Sequence, residues 1–134
     1  MNITPENITK LKENEVFVFG SNEAGIHGAG AAKLAYDKFG AVWGKGFGLH
    51  WSSFAIPTKD EHIETLSLDK IKFYVQVFEA HIIANPELVF YVTQIGCGLA
   101  GYTPEDIACL FKTSYQLPNV YMPESFWKIY NERR

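Results

Sequence analysis

The chain predicts an α/β fold: a single three-layer α/β/α domain over residues 1–134 with a largely parallel central sheet. Three observations predict it. Val16-Phe17-Val18-Phe19 is a continuous apolar run, the pattern of a strand buried in a parallel sheet, and Leu88-Val89-Phe90-Tyr91-Val92-Thr93 is a second strong strand. Each run opens into a glycine-rich loop and then a stretch with helical signals, so strands alternate with helices. Parallel strands need such crossovers, and right-handed crossovers distribute helices over both faces of a sheet.

The elements follow in order. Thr4-Pro5-Glu6-Asn7 joins a cap residue, a proline at the first helical position and an acid, which predicts a short opening helix. Val16 to Phe19 is the first strand. Ala29 to Phe39 is alanine-rich, carries Lys33, Leu34 and Tyr36, and predicts a helix that Gly40 stops. Trp43 to Trp51 is interrupted by Gly44, Gly46 and Gly48 and predicts an irregular or hairpin segment. Phe54-Ala55-Ile56-Pro57 predicts a short strand ending at its proline.

Ser67 then caps a long helix whose Leu68, Ile71, Val75, Phe78 and Ile82 form one apolar stripe, and Asn85-Pro86 ends it. Leu88 to Thr93 is the second strong strand. Thr103-Pro104-Glu105-Asp106 has an N-cap, proline at N1 and an acid at N3, predicting a helix that runs to Tyr115. Asn119 to Met122 predicts a last strand. Pro123-Glu124-Ser125 leads into a C-terminal helix carrying Phe126, Trp127 and Ile129.

Composition excludes several classes. Hydrophobic residues at 47% and charged residues at 20% describe an ordinary globular chain. A formal charge of −3 with no Lys/Arg block argues against nucleic-acid binding driven by backbone charge. Cys97 and Cys109 fit neither a zinc pair nor a CxxC motif, and the four histidines are scattered, so no metal site and no cofactor are expected. The N-terminus has no basic-then-apolar leader and no window reaches 18 apolar residues, so a reducing, cytoplasmic setting without a membrane partner is expected.

The chemistry is expected in the two loops. Candidate ligand contacts are Gly20, Ser21, Asn22, His27, Gly28, Ala29 and Gly30 in the first, and Ile95, Gly96, Cys97, Gly98, Leu99, Ala100, Gly101 and Tyr102 in the second. Glycine lets a ligand approach the backbone, and a helix N-terminus behind each loop supplies N–H groups and partial positive charge. Two such loops at the carboxyl ends of neighbouring strands can hold a diphosphate from both sides. The first loop is neither a Walker A motif nor a dinucleotide fingerprint: Lys33 follows Ala32, and Gly25, Gly28 and Gly30 form no GxGxxG. The plain alternative is two tight strand-to-helix turns. Cys97 before a helix start is a small packing residue or, with His27 or His50 as base, a nucleophile. Tyr102 and Phe19 are candidates for ring contacts with a ligand or for ordinary packing.

Ile95-Gly96-Cys97-Gly98-Leu99-Ala100-Gly101-Tyr102-Thr103-Pro104, after a strand and before an acid-rich helix start, resembles the diphosphate-binding loop of macro domains. Asn22 with Gly28-Ala29-Gly30-Ala31-Ala32 is similar to their other ligand loop. The resemblance spans Val16 to Tyr115. It is nearest to the small macro domains that remove ADP-ribose from glutamate or DNA bases, and to a group of small bacterial and phage-associated macro-like proteins. It implies a macro-like fold, Asn22 on the distal ribose and Ile95 to Tyr102 around the diphosphate. It also implies that Lys59 sits where that branch has its catalytic lysine, an amine that attacks the anomeric carbon of the opened ribose. The branch's acid directly after Gly-Leu is here Ala100. Asp60, Glu61, His62, Glu105 and Asp106 are substitutes if they face the pocket, and otherwise a solvated turn and a helix-start charge complement.

Three readings follow. One is a module that binds ADP-ribose, free or attached to a macromolecule. Another is an ADP-ribosyl hydrolase with Lys59 as nucleophile. The third keeps the fold as an interaction protein with vestigial loops.

Overall fold

The computed structural model describes residues 1–133. Its five strands are β1 (Glu15–Asn22), β2 (Gly48–His50), β3 (Ser53–Lys59), β4 (Val89–Val92) and β5 (Val120–Tyr121). They form one sheet in the order β2-β3-β1-β4-β5. β1 lies at its centre, parallel to β3 and β4; β5 is parallel to β4, and only the edge strand β2 runs antiparallel, against β3. The helices are α1 (Gly30–Lys38), α2 (Leu68–Ala84), α3 (Pro104–Ile107) and α4 (Glu124–Arg133), with 3₁₀ turns at Ala108–Phe111 and Ser114–Gln116. The sheet is mixed but mostly parallel, and helices cover both of its faces, as the apolar runs predict.

Strand alternation sorts the core. Val16, Val18, Phe54, Ile56, Phe90 and Val92 face α2, α4 and the 3₁₀ segment. Phe17, Phe19 and Ala55 face Ala32, Ala35 and Phe39 around α1. The α2 stripe works as its spacing predicts: Ile71, Val75, Phe78 and Ile82 are fully buried, and the Ser67 hydroxyl accepts the Lys70 N–H.

This layering creates a crevice. The chain leaving β1 turns toward the α1 face, whereas the chain leaving the adjacent β4 turns to the opposite face, where Ile107, Ala108 and Phe111 pack. Where neighbouring parallel strands send their connections to opposite faces, the carboxyl ends part. Both glycine-rich loops lie at that point.

Three elements differ from expectation. No helix opens the chain: Thr4 instead donates its N–H to the Met122 carbonyl and its hydroxyl to the Val92 carbonyl, and Ile3 bridges Met122. Long-range pairing along the β5 edge outweighs a local cap and proline signal. The helix from Thr103 lasts one turn before becoming 3₁₀. The Ser114 N–H goes to the buried Glu79 carboxylate at 2.8 Å, and that bond replaces the helical ladder. β3 continues past Pro57 to Lys59, because β2 pairs only with Ser53 to Ala55 and leaves an outer edge where proline is tolerated.

Candidate functional site

A cleft of about 410 Å³ opens between the two loops, within the span of about 300–1,000 Å³ usual for small-molecule sites. Gly20, Ser21, Asn22, Gly28, Ala29 and Gly30 line it from the β1 side, and Ile95, Gly96, Gly98, Leu99 and Ala100 from the β4 side. Lys59, at the end of β3, lines the same space.

Four expected residues fall elsewhere. His27 is 1% exposed and lies against Phe19, Tyr36 and Trp43, with Nε2 3.0 Å from the Val42 carbonyl oxygen and 3.2 Å from that of Lys45. Tyr102 packs on the core and donates its hydroxyl to the Leu66 carbonyl at 2.7 Å. Gly101, with φ at +88°, shapes the loop through an N–H bond to the Gly98 carbonyl. Cys97 packs against the core, and its N–H is taken by the Gln94 carbonyl. Burial, aided by the Asp106 charge, pushes the Cys97 thiol up to about 11, which weighs against the nucleophile reading. Phe19 is fully buried beneath α1 and is no ring contact for a ligand.

The first loop is held from behind. The Ser21 hydroxyl donates to the Gly46 carbonyl. Asn22 spends both ends of its amide on Ile26, donating to its carbonyl at 2.8 Å and accepting its N–H at 2.9 Å. Its role is to clamp the loop. The Gly44 N–H reaches the Gly25 carbonyl, and a Cβ on Gly46 would stand 2.1 Å from the Asn22 oxygen. The Trp43–Trp51 segment is therefore a buttress on the far side of the loop, ending in the β2–β3 hairpin.

The second loop is shaped by Gly96, whose φ of +80° suits glycine, and by a Tyr102 N–H bond to the Gly96 carbonyl. The helix behind it offers little to a ligand. α3 is a single turn opening on a proline, and Thr103 and Asp106 close its end as a capping box. Donors on this lip come from the loop backbone.

Those donors are the site's main chemical feature. Among the described residues, the N–H groups of 28–32 on one lip and 98–100 on the other have no acceptor. α1 begins on Ala29, which makes no side-chain cap bond, and its first turn holds no acid. Ser67 and Thr103 cap α2 and α3, and both of those helices carry acids in the first turn. Among the described residues no Asp or Glu lines the cleft, and Lys59 is its one charged group. An acid-free cavity with unpaired N–H groups and an ammonium is electrostatically suited to an anion.

Gly28 and Gly98 fit the same description. Neither has a left-handed φ, and a Cβ on either would meet nothing within 4 Å. The fold gives no reason for glycine at these two positions, and both lie on the cleft wall.

No acid joins Lys59. Asp60 faces its own turn, accepting the N–H groups of His62 and Glu64 at 2.8 and 3.0 Å, and those bonds hold its carboxyl below the usual range. Glu61 and His62 pair in solvent; Glu105 is exposed, and Asp106 belongs to the capping box. Among the described residues no group of three His, Cys, Asp or Glu gathers as a metal site, and no helix is long and apolar enough to cross a membrane. Ile26, Ala31, Ala32, Thr58, Ile63 and Gln94 also line the cleft and were not among the expected contacts. Thr58, one position before Lys59 on the strand, carried a usable signal.

No family model, no curated protein and no solved structure matches this chain.

Proposed function

We propose that the protein binds ADP-ribose, or a closely related nucleoside diphosphate ribose, with the diphosphate between the two lips of the cleft. The observation that carries this reading is the pair of unpartnered N–H rows, 28–32 and 98–100, across an acid-free cavity. A diphosphate presents acceptors in both directions and satisfies both rows, with Lys59 balancing its charge. The choice of ADP-ribose among diphosphates is supported by the resemblance of Ile95 to Pro104 to the macro-domain loop. The test is calorimetric titration with ADP-ribose, using AMP, ADP and NAD as comparators. Micromolar binding selective for ADP-ribose, about −8 kcal/mol, is expected. A folded sample that gives no heat with any of them overturns the reading.

One observation favours hydrolysis as a second reading: Lys59 lines the cleft, and no carboxylate of the described residues lies within ion-pair distance of it. An acid-free cleft opposes it, since the leaving group has no side-chain proton donor. On this second reading Lys59→Ala abolishes release of ADP-ribose from a modified glutamate peptide while titration still detects binding. Turnover that survives the substitution removes Lys59 as nucleophile.

A further inference from the structure

The turn after β3 contains a conformational anomaly at the cleft. Ile63 has φ at +65°, a left-handed geometry that L residues avoid and that β-branched side chains avoid most. Glycine or asparagine is the usual occupant. The turn is nonetheless fixed on all sides. The Asp60 carboxylate takes the N–H groups of His62 and Glu64, the Asp60 N–H goes to the Glu64 carbonyl, and the Ile63 N–H goes to the Asp60 carbonyl. At its far end the Thr65 hydroxyl donates to the Ala100 carbonyl at 3.0 Å, tying this turn to the second glycine-rich loop.

The strain has no return in packing. Ile63 is 41% exposed and belongs to neither core cluster, yet it lines the cleft. Leu99, on the loop to which the turn is tied, lines the same cavity and is 81% exposed. A bare pyrophosphate would use only the N–H rows and Lys59. Exposed aliphatic carbon on this rim has value only for a ligand that brings carbon surface of its own. Backbone strain held by surrounding structure, with the strained side chain at a cavity, is the pattern of a preorganised contact.

We propose that Ile63 is a specificity-determining residue: its strained turn holds an aliphatic side chain at the cleft, where with Leu99 it packs on the nucleoside or sugar carbon attached to the diphosphate. This deepens the binding reading above and rests on it. The turn selects organic diphosphates over inorganic ones.

The experiment compares the wild-type chain with Ile63→Asn and Leu99→Ala, titrating each with ADP-ribose, ADP and inorganic pyrophosphate and recording thermal unfolding alongside. Asparagine accepts the left-handed geometry, so Ile63→Asn is expected to raise Tm. Affinity for ADP-ribose is expected to fall about tenfold in Ile63→Asn, with a smaller loss in Leu99→Ala, while pyrophosphate binding stays within about twofold. A purely structural role would move Tm without moving the ratio of the two affinities. Wild-type protein that binds ADP-ribose, beside an Ile63→Asn variant that binds it equally well, overturns this proposal and leaves the binding reading standing. Equal losses for ADP-ribose and pyrophosphate also overturn it. Wild-type protein that binds none of the three ends both.

Discussion

Glycine at position 98 separates what the fold requires from what a ligand requires. A methyl group added there meets nothing within 4 Å and strains no backbone angle. Gly98→Ala should therefore leave the folded state alone and restrict the unfolded chain, stabilising by about 0.4–1 kcal/mol. Two positions earlier the same substitution behaves oppositely. Gly96 has φ at +80°, and its Cβ would stand 3.0 Å from the Ile107 Cδ1. A left-handed alanine costs about 1–2 kcal/mol, to which that contact adds. For a chain of this size each kcal/mol moves Tm by about 4 °C, so the two alanines should diverge by about 6–12 °C. Binding should order them differently. Gly98→Ala puts a methyl group on the lip that carries the 98–100 N–H row. Gly98→Glu adds a carboxylate to a cavity that has none. Losing two charge-assisted bonds of about 1.5–3 kcal/mol each weakens binding at least a hundredfold, so Gly98→Glu should show no heat with ADP-ribose while remaining folded. Thermal unfolding and calorimetry on the same three variants decide the matter. Unchanged affinity in folded Gly98→Glu, or a Tm loss in Gly98→Ala matching that of Gly96→Ala, would refute the reasoning.

Two further outcomes are expected. Glu79 is buried with its carboxylate on the Ser114 N–H and hydroxyl, and burial raises its pKa more than those bonds lower it. A carboxyl with a raised folded pKa contributes stability that is full below the unfolded value, about 4.5, and is lost as pH rises through the folded one. Denaturant midpoints should thus show Glu79→Gln gaining on wild type as pH rises above about 4.5; a constant gap would sink the argument. Asn22→Ala leaves the Ile26 N–H and carbonyl without their clamp, costing about 1–2 kcal/mol. Hydrogen exchange should quicken at residues 23–28, and protection that matches wild type there would show that the clamp is dispensable.

The parts of the fold legible in the sequence are those where local and tertiary preferences agree. β1 reads as buried because no polar residue breaks Val16 to Phe19, β4 reads as a strand although only its alternate residues Phe90 and Val92 are fully buried, and α2 reads as a helix because its stripe, its Ser67 cap and its Asn85-Pro86 stop coincide. The misreadings share one cause. At Thr4 and at Ser114 a group distant in sequence, the Val92 carbonyl in one case and the Glu79 carboxylate in the other, captures a donor that a local helix would have used. The candidate site shows the same division. Glycine loops after two strands point to a cleft, and most of their residues do line it. Which side of each loop faces the cavity cannot be read from spacing, so His27, Cys97 and Tyr102 look like contacts and prove to be packing. Ile63 is invisible to the same reasoning, because its interest lies in a dihedral angle that its residue type argues against.

On the proposed binding reading, the two faces of the sheet divide stability from recognition. On one side a continuous cluster runs from Phe54 through Phe78 and Phe111 to Phe126, all fully buried. On the other, α1 contributes Ala32 and Ala35, short side chains that bury little area of their own. Leu34 and Phe39 add to this packing, but α1 buries fewer large side chains than α2, although its first turn supplies one of the two rows of donors. Polar and aromatic bracing supplies the difference: Gly46 and Gly44 hold the loop backbone, His27 bridges to Val42 and Lys45, and Trp43 lies edge-on to Tyr36 of the helix. Such bracing fixes position with little buried area, and position is what a row of N–H groups needs. It also leaves α1 without a side-chain cap on its first-turn donors. The segment between α1 and β3 is thus better understood as the mounting of the cleft's first lip than as a connection between two elements.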